Sequence, residues 1–131
     1  MQSWAYLTPE RVDENTGLLF GYDSGAVAAL TCSINGATRN AASITGTTGR
    51  IDLPAGFYVP QSYTLTRAGS SPEEFDFSFP GRGYQYEAAE VQRCLAEGLP
   101  ESPLMPHATT LEIMTLMDAI RDQIGVRYTS A

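Results

Sequence analysis

Near residue 84 the spacing of apolar residues changes from every second position to every third or fourth, and this divides the chain into a β part and an α part. Upstream, Phe75, Phe77 and Phe79 alternate with Asp76 and Ser78, the pattern of a half-buried strand. Segments 3–8, 14–22, 26–34, 50–53 and 62–67 read as further strands. Asp23-Ser24-Gly25 supplies a hairpin connection between the second and third of these, with Gly25 free to take positive φ. Thr47-Thr48-Gly49 is a second tight turn. Downstream, Ala88, Val91, Cys94 and Leu95 form one helical stripe that ends at Gly98. Pro100 to Pro106 reads as an extended linker. Thr109-Thr110-Leu111-Glu112 then fits a capping box with Thr109 as cap. Ile113, Leu116, Met117, Ile120 and Ile124 make the second stripe, and Gly125 is its stop.

Strands in series followed by two helices predict an α+β fold: a mostly antiparallel, open-faced sheet with helices packed on one face. At 131 residues the chain has the length of a single domain. In segment 26–34, Leu30, Cys32 and Ile34 share one face and Ala29, Thr31 and Ser33 the other. The helices are expected over the first, larger face. The second, lined by small side chains, then meets either water or another protein.

Charge and residue counts remove several function classes. The net charge is −7, and the eight cationic residues are all arginine and scattered, so there is no basic stripe to displace counterions from nucleic acid. With no lysine, Schiff-base formation, a P-loop phosphate contact and lysine acid–base catalysis are unavailable to these residues. No apolar run approaches the ~18–20 residues that span a bilayer, and the N-terminus lacks the pattern of a signal peptide. Cys32 and Cys94 are expected as two buried free thiols of a cytoplasmic protein. Two cysteines and one histidine fall short of the usual zinc ligands, so no metal site is assigned.

Candidate chemistry is sparse. His107 lies between Pro106 and the expected helix cap, a loop position, and no Gly-x-Ser-x-Gly accompanies it. Glu73 and Glu74 read as solvated loop. Glu87 and Glu90 fall in the N-terminal part of a helix, where the dipole favours negative charge. Gly81-Arg82-Gly83 lacks the third glycine of a dinucleotide fingerprint. It is either a plain strand-to-helix turn or, with Arg82 at a helix N-terminus, a place that attracts anions. Tyr58, Phe79, Tyr84 and Tyr86 cluster at the sheet-to-helix transition. Tyr86 reads as the core anchor of the helix, whereas Tyr58 and Tyr84 are either core or pocket wall. No residue is assigned a catalytic role.

Four stretches taken together carry a resemblance. They are Gly21-Tyr-Asp-Ser-Gly-Ala-Val-Ala-Ala-Leu-Thr-Cys-Ser33, Thr45-Gly-Thr-Thr-Gly-Arg-Ile51, the run from Gly83-Tyr-Gln-Tyr-Glu to Pro106, and Met117-Asp-Ala-Ile-Arg-Asp-Gln-Ile-Gly125. In order and spacing they resemble the C-terminal domain of the glucose–fructose oxidoreductase, inositol dehydrogenase and rhizopine-catabolism family (Gfo/Idh/MocA), in particular its dihydrodiol-dehydrogenase-like branch. The resemblance implies a two-domain NAD(P)-dependent oxidoreductase acting on a sugar, polyol or dihydrodiol. It places the NAD- or NADP-binding Rossmann domain and the catalytic lysine outside this chain, which alone is expected to bind no cofactor and to be inactive. It implies a homodimer through the Ala29, Thr31 and Ser33 face, and a substrate side formed by Tyr58, Phe79, Arg82, Tyr84 and Gln85. The rival reading is a free-standing dimerising or small-ligand-binding module without catalytic activity.

Overall fold

A computed structural model of the chain describes residues 1–128. Among the described residues, seven strands precede two helices: β1 (Gln2–Leu7), β2 (Asp13–Gly21), β3 (Val27–Ser33), β4 (Ala42–Thr45), β5 (Gly49–Leu53), β6 (Ser62–Arg67), β7 (Glu73–Asp76), α1 (Tyr84–Ala96) and α2 (His107–Ile124). All strand pairs are antiparallel, in two sheets ordered β1-β2-β3 and β4-β5-β6-β7. The fold is α+β, as the change of period requires. The chain divides into two compact units: Met1–Thr38 with the chain from Pro103 onward, and Arg39–Ser102.

In the first unit, the 23–25 turn closes the β2–β3 hairpin with Gly25 at φ 85°, and the Gly25 N–H donates to Tyr22 O at 2.8 Å. The register puts Ser3, Ala5, Thr16, Leu18, Ala28, Leu30 and Cys32 on one face. Helix α2 lies over this face along β1, where the Ser3 hydroxyl donates to Gln123 Oε1 at 2.6 Å. Arg11 donates to the Gly125 carbonyl at 3.2 Å, satisfying an orphan acceptor at the helix C-terminus. Thr16, on the middle strand, is the most deeply buried residue here, and its hydroxyl donates to Asp13 at 3.0 Å.

Three expectations change. Helix α2 does cover the face that carries Leu30 and Cys32, but it stays near β1; Leu30, Cys32 and Ile34 are exposed. One helix about 10 Å wide cannot cover three strands spaced ~4.8 Å apart. Cys32 is therefore an exposed thiol rather than a buried one. The capping box is not used either. Pro106, extended at φ −62° and ψ 152°, occupies the cap position, so Thr109 and Thr110 lie inside the first turn. The stripe of α2 is only partly covered: Ile120 and Ile124 are half-buried, while Ile113, Leu116 and Met117 stay exposed.

In the second unit, the 47–49 turn is tight because Gly49 passes against the neighbouring strand. A Cβ there would stand 2.6 Å from the Thr66 carbonyl oxygen. Strand β7 stops at Asp76, short of the expected Phe79. Only the Phe77 N–H, donating to Gln61 O at 2.8 Å, extends the ladder before Pro80 ends it. Tyr63 stacks on Phe75 with ring centres 4.7 Å apart. Helix α1 starts at Gly83 in the left-handed region (φ 92°), and the chain turns away at Gly98 (φ 67°). Cys94 is buried on its inner side.

Candidate functional site

The expected substrate-side residues all lie in the second unit, and they separate into two groups. Phe79, Arg82, Tyr84 and Gln85 surround the turn that launches α1. Gln85 Nε2 donates to the Pro80 carbonyl at 2.7 Å, and Phe79 meets Tyr86 edge-on with ring centres 5.9 Å apart. These contacts fix the turn and leave Tyr84 (69% exposed) and Arg82 turned outward. Tyr86, expected in the core, is itself 58% exposed because only its edge rests on Phe79. Tyr58 makes its ring contact with Phe57 instead, edge-on at 5.8 Å, and is 71% exposed. Gln85 and Phe79 therefore hold the turn, while Tyr84, Arg82 and Tyr58 are free to meet a ligand.

The small-residue face of β3 is one row of a larger open surface. Register places Gln2, Trp4, Tyr6, Asn15, Gly17, Leu19, Gly21 and Val27 beside Ala29, Thr31 and Ser33, and none of these carries a charge. Trp4, Tyr6, Leu19 and Val27 are all exposed there, Trp4 by 70%. Gly17, directly opposite both Trp4 and Thr31, leaves a hollow of about 390 Å³ closed at its far end by Gly36, Ala37 and Thr38. Ser33 turns into that loop: its hydroxyl accepts the Gly36 N–H at 2.8 Å and donates to Asn35 Oδ1 at 3.0 Å. On a chain of net charge −7 this surface stands out for its exposed apolar side chains.

The second sheet presents the opposite chemistry. Ser43, Asp52, Thr64 and Glu74 form one cross-strand row, flanked by Thr45, Arg50 and Thr66 on one side and Ser62 and Asp76 on the other. This polar face floors a groove of about 700 Å³, with Arg39 at its β4 flank. Arg50 Nε donates to Asp52 at 2.6 Å; this bond first, and the Ser43 hydroxyl second, hold the Asp52 carboxyl below its ordinary range. The sequence reading missed the groove. Its signal was present as Ser/Thr/Arg/Asp at alternate positions in each strand, but the rows form only once the register is known.

A third polar cluster secures α1. Glu90 accepts two bonds from Arg93, at 2.8 and 2.7 Å, and one from the Ser102 hydroxyl at 2.5 Å. These donors, Arg93 first, bring its carboxyl down to about 2. Burial, the larger cause, and the Glu90 carboxylate raise the Cys94 thiol, so that sulfur is held protonated. The cluster accounts for Glu90 structurally, through a clasp between α1 and the following chain.

Among the described residues, no group of three His, Cys, Asp or Glu side chains is placed to hold a metal ion, and no helix is long and apolar enough to cross a membrane. No family model matches the chain. Similarity to curated proteins is clear. The chain is 34% identical over 129 residues to a trans-1,2-dihydrobenzene-1,2-diol dehydrogenase of Xenopus laevis, covering 94% of this chain and 39% of that protein. The Xenopus tropicalis protein of that name is 32% identical over 133 residues, covering 94% of this chain and 39% of the relative. The Danio rerio protein is 34% identical over 122 residues, with 89% and 36% covered. These dehydrogenases are members of the Gfo/Idh/MocA family, and the region matched is C-terminal. The chain is thus similar to the C-terminal region of members of that family. The chain spans about two-fifths of the length of the curated relatives it matches. Both open sheet faces, the turn before α1 and the Glu90 clasp thus lie in residues that match the C-terminal part of these relatives.

Proposed function

We propose that these residues form, as one domain, the C-terminal, substrate-side and subunit-contacting part of a cytoplasmic NAD- or NADP-dependent dehydrogenase acting on a dihydrodiol, sugar or polyol. The observation that carries this reading is the 34% identity to a dihydrodiol dehydrogenase across 94% of the chain. Tyr84, Arg82 and Tyr58 contribute the exposed aromatic and cationic groups of the substrate side, with Phe79 and Gln85 setting the turn that presents them. A ring packed against the C–H face of a cyclic diol, with a guanidinium beside its hydroxyls, orients such a substrate without performing the hydride step. Cofactor binding and proton transfer belong to a Rossmann domain beyond these residues, because this chain offers no lysine and no complete dinucleotide fingerprint. The charge-free face of β1–β3 serves as the contact with a second subunit, where Ala29 and Thr31 allow close approach of two sheets.

The test is an absorbance assay at the nicotinamide band on a protein that carries these residues in their natural reading frame. Oxidation of a trans-dihydrodiol, a cyclic polyol or an aldose with reduction of NAD or NADP is expected. Activity should fall about tenfold or more in Tyr84→Ala, with the fold intact by circular dichroism. Absence of turnover with all three substrate classes overturns the reading. Tight NAD(P)H binding by the 131 residues alone overturns the assignment of the cofactor to a separate domain.

A further inference from the structure

The groove on the second sheet holds an unbalanced set of charges that nothing in the oxidoreductase reading uses. Arg50 and Asp52, two positions apart on β5, pair with each other on its floor. Arg39 on the β4 flank makes no ion pair or hydrogen bond among the described residues, although its charge acts on Asp52, and Glu74 and Asp76 on the β7 flank make none either. Strands β4 and β7 are three spacings apart, ~14 Å between backbones, and residues of both flanks line the groove. The hydroxyls of Ser62 and Thr64 lie between them as donors and acceptors. At about 700 Å³ the space is of the size that small-molecule ligands occupy.

We propose that this groove binds a small zwitterion of peptide size, its ammonium end on Glu74 and Asp76 and its carboxylate end on Arg39. The two flanks carry opposite charge and the floor is neutralised, so a ligand with opposite charges at its two ends meets both flanks at once. A simple anion satisfies only Arg39, and a simple cation only the β7 flank. Arginine suits the carboxylate end because its planar fork donates two parallel hydrogen bonds. The site is separate from Tyr58, Arg82 and Tyr84, and the proposal does not depend on the chain's part in an oxidoreductase.

Triglycine serves as the probe, titrated into the full chain at low salt and followed by amide chemical-shift changes and calorimetry. Saturable binding in the millimolar range is expected, weakened about tenfold by raising the salt from 20 mM to 0.5 M. Shifts should concentrate in residues 39–43, 52 and 62–76. N-acetyl-triglycine and triglycine amide, each lacking one terminal charge, should each bind about tenfold more weakly. Arg39→Gln should abolish discrimination against the amide and leave discrimination against the acetylated peptide. The double variant Glu74→Gln, Asp76→Asn should do the reverse. Equal binding of blocked and free peptides, or no saturable binding by wild type at 20 mM, overturns the proposal. The three positions are exposed or at the rim, and unchanged circular dichroism of each variant separates lost binding from lost fold. Saturation by a neutral cyclic polyol with triglycine silent assigns the groove to hydroxyl recognition and equally overturns the zwitterion.

Discussion

The two sheets use the same alternation of side chains to opposite ends. In β1–β3 the face away from α2 has no charged side chain and shows Trp4, Tyr6, Leu19 and Val27. In β4–β7 the face on the groove carries Arg50, Asp52, Glu74 and Asp76 among hydroxyls. Water solvates the second face at little cost, since charged and hydroxyl groups keep their hydration. The first loses by contact with water, because roughly 25 cal/mol is forfeited for each Å² of apolar surface left exposed. One period of two can therefore specify both a surface that seeks a protein and a surface that accepts water or a polar ligand. The residue types on the outward parity decide which.

Breaking that contrast gives the largest expected effect. Thr31→Arg places a cation at the centre of the charge-free face, where the proposed two-fold contact sets it against apolar groups and near its own symmetry mate. Like charges juxtaposed in an interface cost several kcal/mol, so self-association should weaken on the order of a hundredfold and sedimentation should show the monomer mass. An unchanged mass argues that this face is not where subunits meet. The second sheet depends instead on backbone closeness. Gly49→Ala brings a methyl group to 2.6 Å from the Thr66 carbonyl oxygen, which only a shift of β5 against β6 relieves. Overpacking of this kind costs about 1–3 kcal/mol, readable as a lowered midpoint in urea. An unaltered midpoint means that the strands separate without penalty.

Local features of the fold were legible in the chain, and tertiary ones were not. The six residues Ser62–Arg67 were delimited by alternation alone, and the helix from Tyr84 by its period and the glycines flanking it. Both follow from short-range stereochemistry. How far α2 reaches across its sheet depends on where a helix more than seventy residues downstream of β3 comes to rest, so the exposure of Leu30, Cys32 and Ile34 was not written in β3 itself. Thr109 offered a plausible cap, yet Pro106, with no N–H to satisfy and a fixed φ, already turns the chain into the helix. The candidate site was read residue by residue. Phe79 and Gln85 were found at one turn with Arg82 and Tyr84, whereas the ring contact of Tyr58 is with Phe57. The polar groove required the register of four strands, which no single segment encodes.

The Glu90 clasp yields a smaller, pH-dependent effect. Its carboxyl lies at about 2 in the folded chain and near its ordinary value, about 4.5, when unfolded. A depressed folded value stabilises the fold above the unfolded one, and that stability is lost as pH falls through about 4.5 toward about 2. Glu90→Gln keeps a hydrogen-bond acceptor but removes the charge. Its midpoint in urea should lie below wild type at pH 7 and converge with it at pH 2–3. Parallel curves at all pH values would mean that Arg93 and Ser102 do not favour the ionised form.

The smallest effect concerns the other face of the second sheet, where Arg67 and Glu73 pair between β6 and β7 with about half of each side chain exposed. The pair stands beside Tyr63 and Phe75, on the face opposite the groove, so it separates the contribution of surface charge from that of ring stacking. An exposed ion pair between neighbouring strands contributes at most about 0.5–1 kcal/mol and is screened by salt. Glu73→Gln should lower the urea midpoint slightly in low salt and not at all in 1 M sodium chloride. Tyr63→Ala, which removes the partner of a 4.7 Å stack, should cost more and be indifferent to salt. If Glu73→Gln is the costlier of the two, charge rather than ring packing holds β7 to the sheet. The two open faces would then differ in how their sheets are held together as well as in what they present.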